Sequence, residues 1–366
     1  MSRVLEFSQI NSLLLYMIVF IIVSLIIGLD KENIHKRFTL LSYIGLAILI
    51  LIAMIRYKVG TDYSNYERAM NMQANISLIH YLQENGMNEI GNFFTNKLGY
   101  LVGSYKIVLA IRAALTVITI YIAIWNHKEK SNIAISMFLF MCIYYPFSLN
   151  ISTQFIAIGI LAIGYKYIIE RNIFKYISCI IVASLFHTSA LLMFPIYFIW
   201  NNKNTLKNKI IIAVFVVLSV IIVKNSNAVI DLISCIDGFE SYSKYSKTTI
   251  QGKNRDIYVK LLLFIIVYLF RKPLIKHDDR NKLYILLILL NLIIGFSGNI
   301  SPYIKRIGLY LEITQVFILP SFIKIVKNKC EKNLIGYIIC LYGIGYFTLV
   351  YYILGQSHVI PYRIMM

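Results

Sequence analysis

The sequence predicts an all-α protein that crosses a membrane many times, and three observations carry this expectation. Of its 366 residues 58% are hydrophobic, and the mean hydropathy is +0.70. Apolar runs of about 17 residues or more recur along the chain, close to the ~20 that a helix needs to cross the hydrocarbon core. Lysine and arginine collect in short segments between those runs, the pattern that sets membrane topology. Backbone amides in lipid must be satisfied within their own segment, so the spans are expected to be helices.

In order, spans are expected at 10–29, 38–55, 104–125, 132–149, 151–169, 173–187, 188–200, 207–223, 257–270, 283–298, 303–323 and 334–354, about 12 in one integral membrane domain covering 1–366. The first lacks a small-residue cleavage site and is read as retained. Basic residues follow the first span (Lys31, Lys36, Arg37), the third (Lys128, Lys130), the fifth (Lys166, Arg171, Lys175), the ninth (Arg271, Lys272, Lys276, Arg280, Lys282) and the eleventh (Lys324, Lys327, Lys329, Lys332). Others precede the eighth (Lys203, Lys207, Lys209). Cytoplasmic placement of all of them puts both termini outside. It also requires 173–200 to cross and return within about 28 residues, where two full spans need about 40. Two short helices meeting near Phe186 and His187 meet that requirement, a geometry tolerated where helices line a protein-walled cavity. The other reading, one long tilted helix with His187 buried, breaks the charge pattern.

Two outer loops are long. The first, 56–103, carries Ile90, Phe93, Phe94, Leu98, Leu101 and Val102 at helical spacing, an apolar stripe for a helix that lies on the membrane or caps the bundle. The second, 224–256, interleaves Tyr242 and Tyr245 with Lys244, Lys247, Lys253 and Arg255, which suits sugars and phosphates and equally a solvated surface.

The formal net charge of +19 is spread over the short loops, so no nucleic acid is expected as a partner. Cys142, Cys179, Cys235, Cys330 and Cys340 have neither metal nor redox spacing, and no metal site or cofactor is expected. The chain has no Gly-rich phosphate loop, no His-Glu-x-x-His helix and no Ser elbow. It also lacks a close carboxylate pair in sequence, although folding can bring Asp62 and Glu89 together.

The densest chemistry is Arg56-Tyr-Lys-Val-Gly-Thr-Asp-Tyr-Ser-Asn-Tyr66, directly after the second span. It places Arg56, Lys58, Gly60, Asp62, Tyr63 and Tyr66 at the mouth of a helix, where a charged, hydroxyl-rich ligand would meet the membrane surface. An interfacial anchor of Arg and Tyr at headgroup depth has the same composition. Further charges lie at membrane depth: Arg112 in the third span, Glu312 in the eleventh, and Lys305 and Arg306 at its outer start. Arg306 and Tyr310 share a helix face. Lys305 and Glu312 are roughly 10 Å apart along the helix, and Arg112 is a candidate counter-ion for Glu312. With His187 outside, the cations suit an amphiphile with a pyrophosphate head, since the guanidinium fork matches phosphate oxygens.

These stretches resemble the EpsG family, a branch of the Wzy-type polymerases of bacterial surface polysaccharide (O-antigen, capsule or exopolysaccharide). The resemblance rests on Arg56-x-x-x-Gly-Thr-Asp62-Tyr63-x-x-Tyr66 with Glu89-x-Gly91, then on Gln154-x-x-Ala157-x-Gly159, Phe186-His187-x-Ser189-Ala190 and Pro195-x-Tyr197. The last stretch is Lys305-Arg306-x-x-x-Tyr310. The similarity covers roughly 40–325. One departure is Thr153, where relatives carry Arg before the Gln; Arg112 is the candidate substitute.

The resemblance implies a GT-C-like glycosyltransferase in the bacterial plasma membrane with its active site on the outer face. The donor would be a glycan on polyprenyl (undecaprenyl) pyrophosphate, the acceptor a single lipid-linked repeat unit, and a chain-length regulator a further partner. Arg56, Arg112, Lys305, Arg306, Tyr310, Tyr63, Tyr66 and Gln154 are then expected to bind pyrophosphate or sugar, and His187, Asp62 or Glu89 to act as base. Two other classes compete. A flippase or transporter of lipid-linked sugar wants charged lining in both membrane halves. A ligase or acyltransferase of surface glycans, if it draws on a cytoplasmic acyl donor, wants its His and carboxylate on that side.

Overall fold

The computed structural model describes residues 4–29, 36–200, 256–296 and 302–365. The expected span at 207–223 and nearly all of the 224–256 loop lie outside the described residues. In chain order the helices are α1 (Gln9–Leu29), α2 (Leu40–Ile55), α3 (Tyr63–Met72), α4 (Leu78–Asn85), α5 (Ile90–Leu101), α6 (Tyr105–Trp125), α7 (Ile133–Ile143), α8 (Tyr145–Ser148), α9 (Ser152–Ile169), α10 (Ile173–Ser184) and α11 (Ile196–Ile199). After the gap come α12 (Asp256–Leu269), α13 (Arg271–His277), α14 (Asn281–Phe296), α15 (Pro302–Glu312), α16 (Gln315–Ile325) and α17 (Lys329–Phe347).

Among the described residues five helices are long and apolar enough to cross a membrane: Gln9–Leu29, Tyr105–Trp125, Ser152–Ile169, Arg306–Ile325 and Lys329–Ile353. Shorter apolar helices, α2 and α14 among them, accompany these. The arrangement is that of a multi-pass helical membrane protein.

The chain divides into two compact units. One joins Met1–Ile163 to Val316–Met366. Here α2 packs on α6 and α1, and α1 and α17 pack on α7. Local sequence sets the helix starts. Thr39 and Ser42 form a reciprocal capping box for α2, and Asn132 caps α7. The expected span 132–149 breaks at Tyr144, and Pro146 opens the single turn of α8. The core is aromatic, with Tyr16 and Phe20 each set against Phe347 and further edge contacts to Tyr362 and Tyr145. Ile10, Leu14, Ile18 and Leu25 of α1 are exposed, a face suited to lipid.

An all-α expectation misses one feature of this unit. β1 (Val4–Glu6) pairs antiparallel with β2 (Arg363–Met365), Leu5 opposite Ile364. The segment leading into β2 also runs along the start of the 56–103 loop. The amides of Gly60 and Tyr57 donate to the carbonyls of His358 and Arg363 at 3.0 and 2.8 Å, and Arg56 bridges to Ile364. The Tyr362 hydroxyl donates to the Ile52 carbonyl at 2.5 Å.

The other unit is Gly164–Gln315. α10 ends at Ser184 with Leu185 as its C-cap, and a 3-10 turn, Thr188–Met193, and α11 run back. The Arg171 guanidinium donates to the carbonyls of Tyr197, at 3.1 Å, and Trp200, and lies 4.9 Å from the Tyr197 ring centroid. Tyr176 donates to the Met193 carbonyl at 2.8 Å. The two ends of 173–200 are therefore pinned together and the turn falls at Phe186–His187. This is the short return path, not a single tilted helix. Further along, α14 packs on α12 and α15. The expected span 303–323 is interrupted after Glu312, where the Thr314 hydroxyl bonds back to the Leu311 carbonyl at 2.7 Å.

Candidate functional site

In the first unit the site is built from the end of α2. Arg56 leaves the helix with extended backbone (φ −60°, ψ 145°), and its side chain turns inward until it is 2% exposed. Its Nη1 donates to the Leu149 carbonyl at 2.6 Å, and its guanidinium carbon lies 5.9 Å from the Tyr63 ring centroid. Its Nε is buried without a hydrogen-bond partner among the described residues. The turn that follows depends on Gly60, at φ +99°, where a Cβ would meet Asn150 Oδ1 at 3.3 Å. That same oxygen accepts from the Thr61 hydroxyl and the Asp62 amide, each at 2.8 Å. Lys58 points outward over Tyr57 and is exposed.

Arg112 of α6 forms the second half, also 2% exposed. Its nitrogens donate to Asn96 Oδ1 at 2.9 Å and to the hydroxyls of Thr95 and Ser152, each at 3.4 Å. Its guanidinium stacks 4.6 Å from the Tyr66 ring centroid. Tyr66 is hydrogen-bonded to the Thr153 side chain, so Arg112 shares its surroundings with the position where the sequence resemblance implies Arg. Gln154, beside Thr153, is buried. Tyr63 meets Tyr105 edge-on at 5.0 Å, and the Tyr105 hydroxyl is buried without a partner among the described residues.

Asp62 opens α3. Glu89 precedes α5 with φ 48° and accepts from Asn92 at 2.8 Å. Both carboxylates act electrostatically on Tyr66, so the structure brings Asp62 and Glu89 to one neighbourhood. The phenols stay protonated. Burial pushes the Tyr63 hydroxyl up to about 12, with Glu67 adding to the effect and Arg56 opposing it. Burial likewise raises Tyr66, against Arg112 and Thr153. Both can act as neutral donors.

The second unit holds the remaining candidates. His187 is half-buried at the turn, its carbonyl accepting from the Ala190 amide at 3.0 Å. The Ser189 hydroxyl lies 3.0 Å from that of Tyr310, and Tyr165 donates to the Tyr310 carbonyl. Arg306 precedes Tyr310 by one turn of α15. Lys305 is on the same helix, its side chain outside the described residues.

Glu312 corrects an expectation. Its carboxylate pairs with Lys260 of α12 at 3.1 Å, and Asn291 of α14 joins both, at 3.2 Å from Lys260 and 3.4 Å from Glu312. The hydrogen bonds of Arg112 go to neutral oxygens instead. Gly308 makes room for this network, since a Cβ there would meet Asn291 Oδ1 at 2.6 Å. Lys260 was legible as an intramembrane cation inside the expected span 257–270. Asn150 and Asn96 were less so, because an amide beside an apolar run carries no spacing signal.

The profile described as the EpsG family matches residues 40–364. The chain belongs to the EpsG family. Membership ties it to exopolysaccharide biosynthesis. The EpsG match begins at the first residue of α2, takes in Arg56, Arg112, His187 and Arg306, and extends to Ile364. It thus includes the segment that bonds Tyr57 and Gly60, beyond the resemblance read from the sequence. No curated protein and no solved structure matches the chain.

Proposed function

We propose that this EpsG-family chain is a Wzy-type polysaccharide polymerase, transferring a growing glycan from polyprenyl pyrophosphate to a lipid-linked repeat unit on the outer face of the plasma membrane. One observation carries the reading. Arg56 and Arg112 are buried, and the groups that hold them are neutral oxygens and phenol rings, with no carboxylate in ion-pair range among the described residues. A buried ion outside ion-pair contact costs several kcal/mol, and Glu89 acts on Arg112 only from beyond that range. A pyrophosphate supplies two charges and the oxygen geometry that a guanidinium fork fits. The unpartnered Arg56 Nε and Tyr105 hydroxyl would then gain acceptors.

In the reaction the acceptor hydroxyl oxygen attacks the anomeric carbon. The bond to the phosphate oxygen breaks and its electron pair leaves with polyprenyl pyrophosphate. The arginines stabilise that developing charge. The hydroxyl proton passes to a base, for which His187 is one candidate. Asp62 and Glu89, near Tyr66, are the other candidates.

The test uses purified protein in detergent with synthetic lipid-linked repeat units. A transferase makes polymer there, whereas a flippase, which needs two compartments, does not. Arg56→Ala, Arg112→Ala and Arg306→Ala are expected to abolish polymer and leave single repeat units on their lipid. Arg→Lys should also fail, because a point charge does not replace the fork. His187→Gln is expected to cut transfer by roughly 100-fold with donor still bound. Normal polymer length in the alanine variants at matched protein level would overturn the reading.

A further inference from the structure

Helix α5 has two unlike faces. Its inner face buries Ile90, Phe93, Thr95, Asn96 and Gly99, and from it Thr95 and Asn96 hold the Arg112 guanidinium. Its outer face exposes Phe94, Leu98 and Leu101, spaced four and then three residues apart along one stripe, with Val102 following. Leu101 is 77% exposed and Val102 63%. The apolar stripe expected from the sequence is thus split between protein and surroundings.

Position in the chain says what those surroundings are. Val102 and Gly103 form the turn out of α5, Gly103 at φ +71°, and the membrane-crossing helix α6 begins two residues later at Tyr105. α5 packs against α6. Leu98, Leu101 and Val102 therefore sit within a few residues of the point where the chain enters the bilayer. An exposed apolar stripe on a helix that ends just before a membrane-spanning helix begins is the pattern of an interfacial helix. Lys97, beside the stripe, donates to the Ala74 carbonyl at 2.7 Å and lies over Phe93, so its ammonium is engaged within the fold.

We infer that α5 lies half-submerged in the bilayer surface on the side of the 56–103 loop, with Phe94, Leu98, Leu101 and Val102 among the lipid acyl chains. The occupant of this face is bulk lipid. One helix then separates the lipid from Arg112, so a membrane-borne amphiphile reaches that guanidinium at headgroup depth. The placement of α5 holds whether or not the polymerase reading does.

The experiment reads tryptophan fluorescence of the full chain in liposomes. Phe94→Trp and Leu98→Trp are compared with the unaltered chain, whose own Trp125 and Trp200 supply the background. Phe94→Trp keeps an aromatic ring and guards against a misfolded Leu98 variant. Phosphatidylcholine brominated high on its acyl chains is expected to remove most of the added emission, while aqueous iodide leaves it. Quenching by iodide but not by bromolipid puts the face in water and overturns the inference. Resistance to both puts it under protein, a second copy or another partner, and overturns it equally.

Discussion

Arg112 and Glu312 are both charged side chains within helices of a membrane protein, and their neighbours differ in kind. Glu312 meets Lys260 at 3.1 Å, their side chains only 11% and 13% exposed, and Asn291 bonds both partners. The charge is cancelled inside the fold. Among the described residues Arg112, like Arg56, contacts neutral oxygens and an aromatic face, with Glu89 acting on Arg112 from beyond ion-pair range. The Arg112 charge is oriented but not tied to a carboxylate in an ion pair. The first plan holds helices together, while the second keeps a charge available for something that arrives from outside, at the expense of stability in its absence.

That contrast can be broken by measurement. The largest effect is expected at the cancelled pair. Lys260→Ala removes the ammonium from the buried Glu312 and should destabilise the protein by about 3–5 kcal/mol, whereas the double variant Lys260→Met/Glu312→Leu should recover most of the loss. Thermal unfolding in detergent checks both, and equal losses for single and double variants would deny that the pair acts as a unit. Next, inorganic pyrophosphate should stabilise the parent, by about 2.7 kcal/mol at a hundredfold excess over its dissociation constant. It should leave Arg56→Met unmoved, and equal shifts in both proteins would place the anion elsewhere. Gly60→Ala is expected to lose about 1–2 kcal/mol, since the φ of +99° disfavours any Cβ and Asn150 stands 3.3 Å from it. The smallest change is the most telling. Arg56→Met, which removes an uncancelled charge, should melt at the same temperature as the parent or higher, and a fall of several degrees would make Arg56 a structural residue.

Much of this was legible in the sequence because membranes impose simple rules. The apolar runs located α1, α2, α6 and α9 to within a few residues, and the spacing of Arg171 and Lys203 around 173–200 was enough to demand a return path. Arg56, Asp62, Tyr63 and Tyr66 stood out as candidates from their density alone. Partner choice was not legible. Glu312 was assigned to Arg112 because both looked isolated, although Lys260 lay inside an expected span all along. Asn150, which shapes the turn at Gly60, is an amide between two apolar runs and matches no pattern. The β1–β2 pairing escaped because three-residue strands some 360 residues apart leave no local periodicity.

The bonds from His358 and Arg363 to Gly60 and Tyr57 also bear on how the protein is made. A ribosome adding about 5–20 residues per second reaches His358 roughly 15 to 60 s after Gly60. Through that interval the loop after α2 is already outside the translation machinery while its backbone partners do not yet exist. The order of synthesis makes the Arg56 end of the cluster one of the last parts of the protein to be finished, and every chain released early carries it unbraced.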